Sequence, residues 1–370
     1  LAKSMCGRIA GMLGMAKKVV VVDLDNTLWG GIVGEDGING IKLDSNSPEG
    51  EAYLNFQKYL KKLSANGIAL CACSKNDDKI AKDVFKKHKQ IILKLEDFAV
   101  FTANYEDKAK NIKAISKTLN LGLDSFVFVD DSKIECSIVK KILPEVFVIN
   151  LDSAEPSEYI KKIESYNLFY FKNTTKEDLS RIQSYQKLKK YEEAKSNAGD
   201  IENFLKELKP KIYLEKVNKS NVVRAAQLLA KTNQFKFNSN IYSEKELIKF
   251  KNKTIVISFK DRMQNYGIIG AVVFSDKKKD KALEIENWVM SCRVFSRRIE
   301  NYMMNHLIKE AKKIKFNKIN FKFYKTEKNV YLQSFLKKLK IKIEQNKKYY
   351  SNNILDIKSK EKTYIKAGKV

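Results

Sequence analysis

The chain of 370 residues is short of the residues that punctuate or staple a fold: four prolines, five cysteines and two histidines. Four prolines against 15 glycines exclude a collagen-like chain and a Pro/Gly-rich disordered one. The cysteines (Cys6, Cys71, Cys73, Cys136, Cys292) are odd in number and contain no Cys-x-x-Cys pair. With only His88 and His306 beside them, they support neither a disulfide framework nor a Cys/His zinc site. A reducing, cytoplasmic setting is therefore expected. The shortage of histidine also argues against Ser-His-Asp hydrolysis. No run reaches the roughly 20 apolar residues of a membrane span; Lys17 and Lys18 interrupt the apolar stretch 9–22.

Acidic residues are also scarce, 44 against 71 Lys and Arg, which leaves a net charge of +27. Only seven of the bases are arginine, so the surplus reads first as a lysine bias. Any functional share of it points to an acidic partner or to phosphate. Nucleic acid is not expected, because the plentiful aromatics follow strand and helix periods and are not interleaved with the bases.

What is present is a rhythm of strands and helices. Residues 19–23 (VVVVD) form a β-branched apolar run, as a buried parallel strand does. Further strands are expected at 68–72, 91–95, 126–130 and 146–149. Helices are expected at 49–64, 77–87, 107–119 and 133–142, with 29–40 a loop or small hairpin. Five strands alternating with helices predict an α/β fold, an open parallel sheet covered on both faces. A helical linker is expected over 153–210, including one helix from Thr175 to Ala198 and another before Pro210. A second rhythm then begins, with strands at 212–217, 255–259, 268–274, 283–289 and 319–324 among helices at 222–232, 244–250, 296–312 and 330–339. It predicts an α+β domain over 211–352, with a polar, frayed tail over 353–370. The first domain is expected to occupy 1–152.

The strongest chemical signal is Asp23-Leu24-Asp25 at the end of the first strand, where open α/β sheets bind ligands. A second acidic pair, Asp130-Asp131, ends the strand FVFVDD. Carboxylates gathered at strand ends repel unless protonated or neutralised, and Mg²⁺ with oxygen ligands is the natural neutraliser. Ser74, just past a strand, and Lys108, opening a helix, are suitable donors for phosphoryl oxygens. Only about 25 residues separate the Asp pair from the next long helix, room for a flap and not for a cap domain.

These four elements resemble the haloacid dehalogenase (HAD) superfamily, with a Rossmann-like parallel sheet. The resemblance implies that Asp23 is the nucleophile that forms an aspartyl-phosphate. It makes Asp25 the general acid and base and a backbone ligand of Mg²⁺, and Ser74 and Lys108 the phosphate grips. Asp131 is then the metal carboxylate, with Asp130 second. Glu135 is either a brace for this site or a plain surface residue. The longer strings DLDNTLWGGIVGEDG, CSKND, LEDF, NYEDKAKNI and LGLDSFVFVDD resemble the FkbH-like family, subfamily IIIC. So do TNQFKFN, DRMQNYGIIG and NWVMSCRV in the second half.

That resemblance implies a Mg²⁺-dependent enzyme that dephosphorylates a three-carbon acyl phosphate like 1,3-bisphosphoglycerate. The glyceryl unit would pass to the thiol of an acidic acyl carrier protein, in polyketide or surface-polysaccharide biosynthesis. The alternatives are a plain phosphomonoester phosphatase with a recognition domain, or a non-catalytic carrier-binding protein. The second half resembles a GNAT acyltransferase fold but lacks the glycine pair of the usual pyrophosphate segment. There it has CRVFSRRIENYM, so Arg293, Arg297 and Arg298 are candidates to meet a phosphopantetheine phosphate, or a solvated helix start. Cys73 and Cys292 are candidates for a thioester relay, with buried filler as the ordinary alternative. Asn233, Gln234, Tyr266 and Trp288 either shape a groove for the carrier arm or pack the core.

Overall fold

The computed structural model describes residues 16–152, 154–169, 200–341, 349–357 and 363–368; between 170 and 199 it describes Tyr185, Lys187, Tyr191, Ala194, Lys195 and Ala198. The chain divides into two units at Glu192/Glu193, and each is described by itself.

In the first unit the four valines of β1 (Val19–Val22) are wholly buried at the centre of a five-stranded parallel sheet. Its neighbours are β2 (Ala69–Ser74) and β4 (Phe126–Asp130), flanked by β3 (Phe98–Ala103) and β5 (Phe147–Asn150), in the order β3-β2-β1-β4-β5. The side chains of β1 alternate, so Val20 and Val22 join one hydrophobic cluster while Val19 and Val21 face the other way. The first face receives α2 (Pro48–Ala65), α3 (Asp78–Lys87) and α6 (Tyr159–Glu164). The other is covered by α4 (Lys108–Leu119) and α5 (Lys133–Ile142), which pack on β2, β4 and β5. This is the expected open α/β sheet, parallel and covered on both faces.

Side-chain caps fix where the helices begin. Ser47, Asp77, Asp107 and Ser132 each accept backbone N–H groups in the first turn of α2, α3, α4 and α5. Two of these caps have chemical consequences, because Asp107 starts a helix at Lys108 and Ser132 follows the pair Asp130-Asp131.

Two expectations for this unit are corrected. Residues 91–95 are not a strand: the Gln57 Oε1 atom accepts the N–H groups of Ile92 (3.0 Å) and Leu93 (3.1 Å). With those groups bound to a side chain, the third strand forms later, at Phe98. The stretch 29–40 is closed by a Gly30–Lys42 bridge, but between them it is helical, α1 (Val33–Gly40), kinked at Gly37 where φ is 68°.

The second unit is a seven-stranded mixed sheet, ordered β11-β10-β9-β8-β7-β6-β12. It opens with α7 (Ile201–Glu207), then β6 (Lys211–Lys216), α8 (Val222–Lys231) and α9 (Glu244–Lys249). The antiparallel run β7 (Thr254–Lys260), β8 (Asn265–Lys277) and β9 (Ala282–Met290) follows. Next come α10 (Ile299–Lys313), β10 (Lys318–Lys322), which is parallel to β9, α11 (Val330–Lys338) and β11 (Tyr349–Asn353). Helices α10 and α11 bury Met303, Met304, Leu307, Leu332 and Phe335 on one face, while α8 and α9 cover the other through Leu228, Leu229 and Leu247. This is the expected α+β order of strands and helices.

The segment 353–370 was expected to fray, yet Ile354, Ile357 and Ile365 are buried and β12 (Lys366–Ala367) pairs in parallel with β6. Its few apolar residues seal the sheet edge although its composition is polar. Most of the linker expected over 153–210, including the helix through Ala198, lies outside the described residues. Its described ends belong to the units, with Tyr159 and Ile163 buried in the first and Leu205 and Leu208 in the second.

Candidate active site

The parallel register carries the site. Val22 pairs with Ala72 on one side and Val129 on the other, so the chain ends Asp23, Cys73-Ser74 and Asp130 emerge together at the C-terminal edge. Asp23 is 7% exposed, Ser74 2%, Lys108 3% and Asp130 fully buried. The Lys108 Nζ atom donates to Asp130 Oδ2 at 2.6 Å and lies 3.1 Å from Asp23 Oδ2. Burial alone would lower the ammonium's pKa, but the two carboxylates outweigh it and hold the pKa up. Burial pushes the Asp130 carboxyl up to about 7, with the Asp23 charge adding to it and Lys108 opposing. Asp131 is raised for the same first two reasons, and its Oδ1 accepts the Thr27 hydroxyl at 3.1 Å.

One ammonium therefore serves two buried carboxylates, with a third beside them. Ligand oxygens of Asp23, Asp130 and Asp131 all lie within 4.8 Å of one another. The Asp23 Oδ1 atom is buried without a hydrogen-bond partner among the described residues. An orphaned carboxylate oxygen in an all-oxygen cluster fits a hard divalent cation, so the residues present suit Mg²⁺.

Asp25 is held differently. Its Oδ1 accepts Trp29 Nε1–H (2.9 Å) and the Val33 N–H (3.0 Å), while Oδ2 accepts Asn76 Nδ2–H (2.8 Å). Burial raises its carboxyl despite the donors from Val33 and Trp29, and Asp23 adds to the rise. Glu135 is not a surface residue: it is 9% exposed and its Oε1 accepts Lys75 Nζ–H at 2.5 Å. Sequence reasoning missed Thr27, Trp29, Lys75 and Asn76. All four lie inside the strings that carry the family resemblance, which was the available signal.

Cys73, a candidate for the relay with buried filler as its alternative, sits as filler does. It is fully buried, and burial pushes its thiol up to about 12 even though Lys108 pulls the other way. Its Sγ lies 3.9 Å from the Lys108 carbonyl oxygen, beneath the site. Cys292 is half-buried and packs against the core of the second unit.

The three arginines make contacts within the second unit. Arg297 is buried: its Nε donates to Asp261 Oδ2 (3.3 Å), its Nη2 to the Tyr266 hydroxyl (2.8 Å) and its Nη1 to the Arg293 carbonyl (3.1 Å). Arg293 is also buried and donates to Ser291 Oγ, while Arg298 pairs with Glu202. They join segments of the second unit, and only Arg298 keeps appreciable exposure. Trp288 and Tyr266 are core residues at 0% and 2% exposure, so they line no groove.

The reason lies between β9 and β10. These parallel strands pair from Ala282 to Ile285 and then diverge. The string 232–238 fills the divergence. The Phe237 N–H donates to the Trp288 carbonyl, the Met290 N–H to the Phe235 carbonyl and the Tyr324 N–H to the Phe237 carbonyl. Asn238 Nδ2 bridges the carbonyls of Glu286 (2.5 Å) and Lys322 (3.0 Å). Phe235 and Phe237 are fully buried against Trp288. The backbone edges that diverging strands would offer an extended ligand are thus bound to the chain's own residues.

No protein-family model matches this chain, and no curated protein does either. Among solved structures, the N-terminal part of BF1531 from Bacteroides fragilis is similar at 42% identity over 45% of this chain, with a TM-score of 0.44. That structure is described as containing a phosphatase domain complexed with Mg, and the match spans 44% of its chain. An IAA acetyltransferase from Bacillus cereus matches at 17% identity, covering 35% of this chain and 75% of its own, with a TM-score of 0.25. An N-acetyltransferase from Staphylococcus aureus matches at 12%, covering 39% and 99%, with a TM-score of 0.29.

Proposed function

We propose that the first unit is a Mg²⁺-dependent phosphatase acting through Asp23, and that the second unit recognises the substrate. The carrying observation is the buried cluster of Asp23, Asp130 and Asp131 with Lys108 set against two of its members. A phosphoryl group needs an in-line nucleophile, cations about its oxygens and a proton source for the leaving oxygen. In this reading Asp23 attacks phosphorus and forms an aspartyl-phosphate. Lys108 and Ser74 grip the phosphoryl oxygens. Asp25 has a raised pKa and three donors fixing its carboxylate; it protonates the leaving oxygen and then takes the proton of the attacking water. Asp23, Asp131, Asp130 and the Asp25 backbone would hold Mg²⁺, whose positive charge would let carboxylate and phosphate approach. The reading gives this chain the activity and the ion with which the B. fragilis domain is described.

A second reading is glyceryl transfer from a 1,3-bisphosphoglycerate-like donor to an acyl carrier protein. It is favoured by the FkbH-like strings present in both halves. The filled divergence of β9 and β10 and the buried Cys73 favour the first reading, since they leave neither an open strand edge for a thioester arm nor a ready thiolate relay. Incubating the protein with Mg²⁺, 1,3-bisphosphoglycerate and a holo carrier protein separates the two. Phosphate release without a mass increase on the carrier supports the phosphatase, and a glyceryl adduct supports transfer. Phosphate release by Asp23→Asn at the wild-type rate would refute both.

A further inference from the structure

Net charge is divided unequally between the units. Residues 1–192 hold 30 Lys and Arg against 26 Asp and Glu, a net of +4, whereas residues 193–370 hold 41 against 18, a net of +23. A compositional lysine bias acts on both units alike, so it does not account for a surplus confined to one. Part of the surplus also has a place in the fold. Strands β7, β9 and β10 begin, and β8 and β11 end, at the same end of the second sheet. This end lies away from the divergence of β9 and β10.

The turn from β8 into β9 contributes exposed Lys278, Lys279 and Lys281, and the turn from α10 into β10 contributes Lys312, Lys315 and Lys318. These two turns are joined, since the N–H groups of Asn317 and Lys318 donate to the Lys281 carbonyl. Lys251 and Lys253 stand ahead of β7. The acidic residues in the same turns are fewer: Asp276, Asp280 and Asp356, with Glu310 already paired to Lys313. Three large apolar side chains punctuate this row: Phe250 at 44% exposure, Ile314 at 48% and Leu355 at 76%. The Ile354 N–H donates to the Asn317 carbonyl, which brings the last two to adjoining turns.

We propose that this end of the second unit docks on an anionic lipid bilayer. Its lysines face the headgroups, and Phe250, Ile314 and Leu355 enter the interface. Five neighbouring strand ends at about 4.8 Å spacing span roughly 20 Å, a row and not a pocket. Ammonium groups on flexible stems, each acting independently and interspersed with apolar side chains, match a laterally fluid anionic surface. None of these turns holds an arginine, and among the described residues Phe250 is the only exposed ring in the row, so these turns offer neither bidentate phosphate grips nor a stacking platform for nucleic acid. The proposal does not depend on the phosphatase reading.

The test is cosedimentation of the full chain with phosphatidylcholine vesicles, with and without one-third phosphatidylserine, at low and high salt. Binding only to the anionic vesicles, and lost at high salt, is expected. Each lysine near such a surface contributes about a fivefold gain, so Lys278→Gln/Lys279→Gln/Lys315→Gln should weaken partitioning on the order of 100-fold. Ile314→Ser/Leu355→Ser should weaken it at both salt concentrations. Circular dichroism melts coinciding with wild type show that the variants fold, and a duplex oligonucleotide serves as the competing polyanion. The proposal is overturned by equal binding to neutral vesicles, by no vesicle binding, by binding that the lysine variant leaves unchanged, or by retention on the duplex alone.

Discussion

The two units treat buried polarity in opposite ways. In the first, Asp23, Asp130 and Asp131 converge with one ammonium among them, and Asp23 Oδ1 has no hydrogen-bond partner among the described residues. In the second, Arg297 is enclosed by Asp261, Tyr266 and the Arg293 carbonyl, and Phe235 and Phe237 fill the opening between diverging strands. A cluster left short of positive charge stores an affinity for a cation and for the group it neutralises. A cluster that satisfies itself stores only stability. The difference teaches where to look for chemistry: burial of charged residues is common to both units, and the gathering of three carboxylates around one ammonium is what distinguishes the first.

The most damaging test of this contrast is Asp23→Asn. Loss of a covalent nucleophile should lower Mg²⁺-dependent phosphate release by at least about 10⁴-fold. The thermal midpoint should hold or rise, because the substitution relieves repulsion with Asp130 while Lys108 keeps its closer partner. A phosphate-release assay beside a melting curve checks both halves. A large fall in stability would mean that Asp23 is structural, as Arg297 is.

Next in size are two deletions that should behave differently. Lys108→Ala leaves two buried carboxylates facing each other and should cost about 3–5 kcal/mol of stability. Millimolar Mg²⁺ should restore part of that loss, since a cation can answer the same charges. Asp261→Ala strands the buried Arg297 guanidinium and should also cost about 3–5 kcal/mol. Here Mg²⁺ should restore nothing. Denaturant unfolding of each variant with and without Mg²⁺ separates a cluster built for an ion from one built for itself.

Legibility in the sequence followed the range of the interactions. The carboxylate site could be read because its residues follow directly on apolar strands, VVVVD and FVFVDD, and a parallel sheet brings such strand ends together. The third strand was misplaced because the decisive contact, Gln57 holding the N–H groups of Ile92 and Leu93, spans 35 residues and leaves no periodic trace. The partners of the arginines were hidden for a similar reason. CRVFSRR reads as a basic helix start, and only the fold brings Asp261 and Tyr266 to Arg297. Polar composition hid the docking of the last segment, which rests on three isoleucines and one short parallel pairing.

The smallest expected effect sharpens the boundary of the reacting site. Cys73 follows directly on Ala72, the β2 partner of Val22, and a sequence argument can make it a nucleophile. Its thiol, pushed up to about 12 chiefly by burial, should hold on the order of 10³-fold less thiolate at pH 8 than a free cysteine. Native protein at that pH should therefore show slow alkylation of Cys73 by iodoacetamide, resolved by peptide mass mapping, with prompt labelling once urea unfolds the chain. Cys73→Ala should leave phosphate release within about twofold of wild type, because the side chain lies under the Lys108 backbone and offers nothing to phosphorus. Rapid native labelling together with a large loss of activity would move Cys73 from the packing beneath the carboxylates into the chemistry above them.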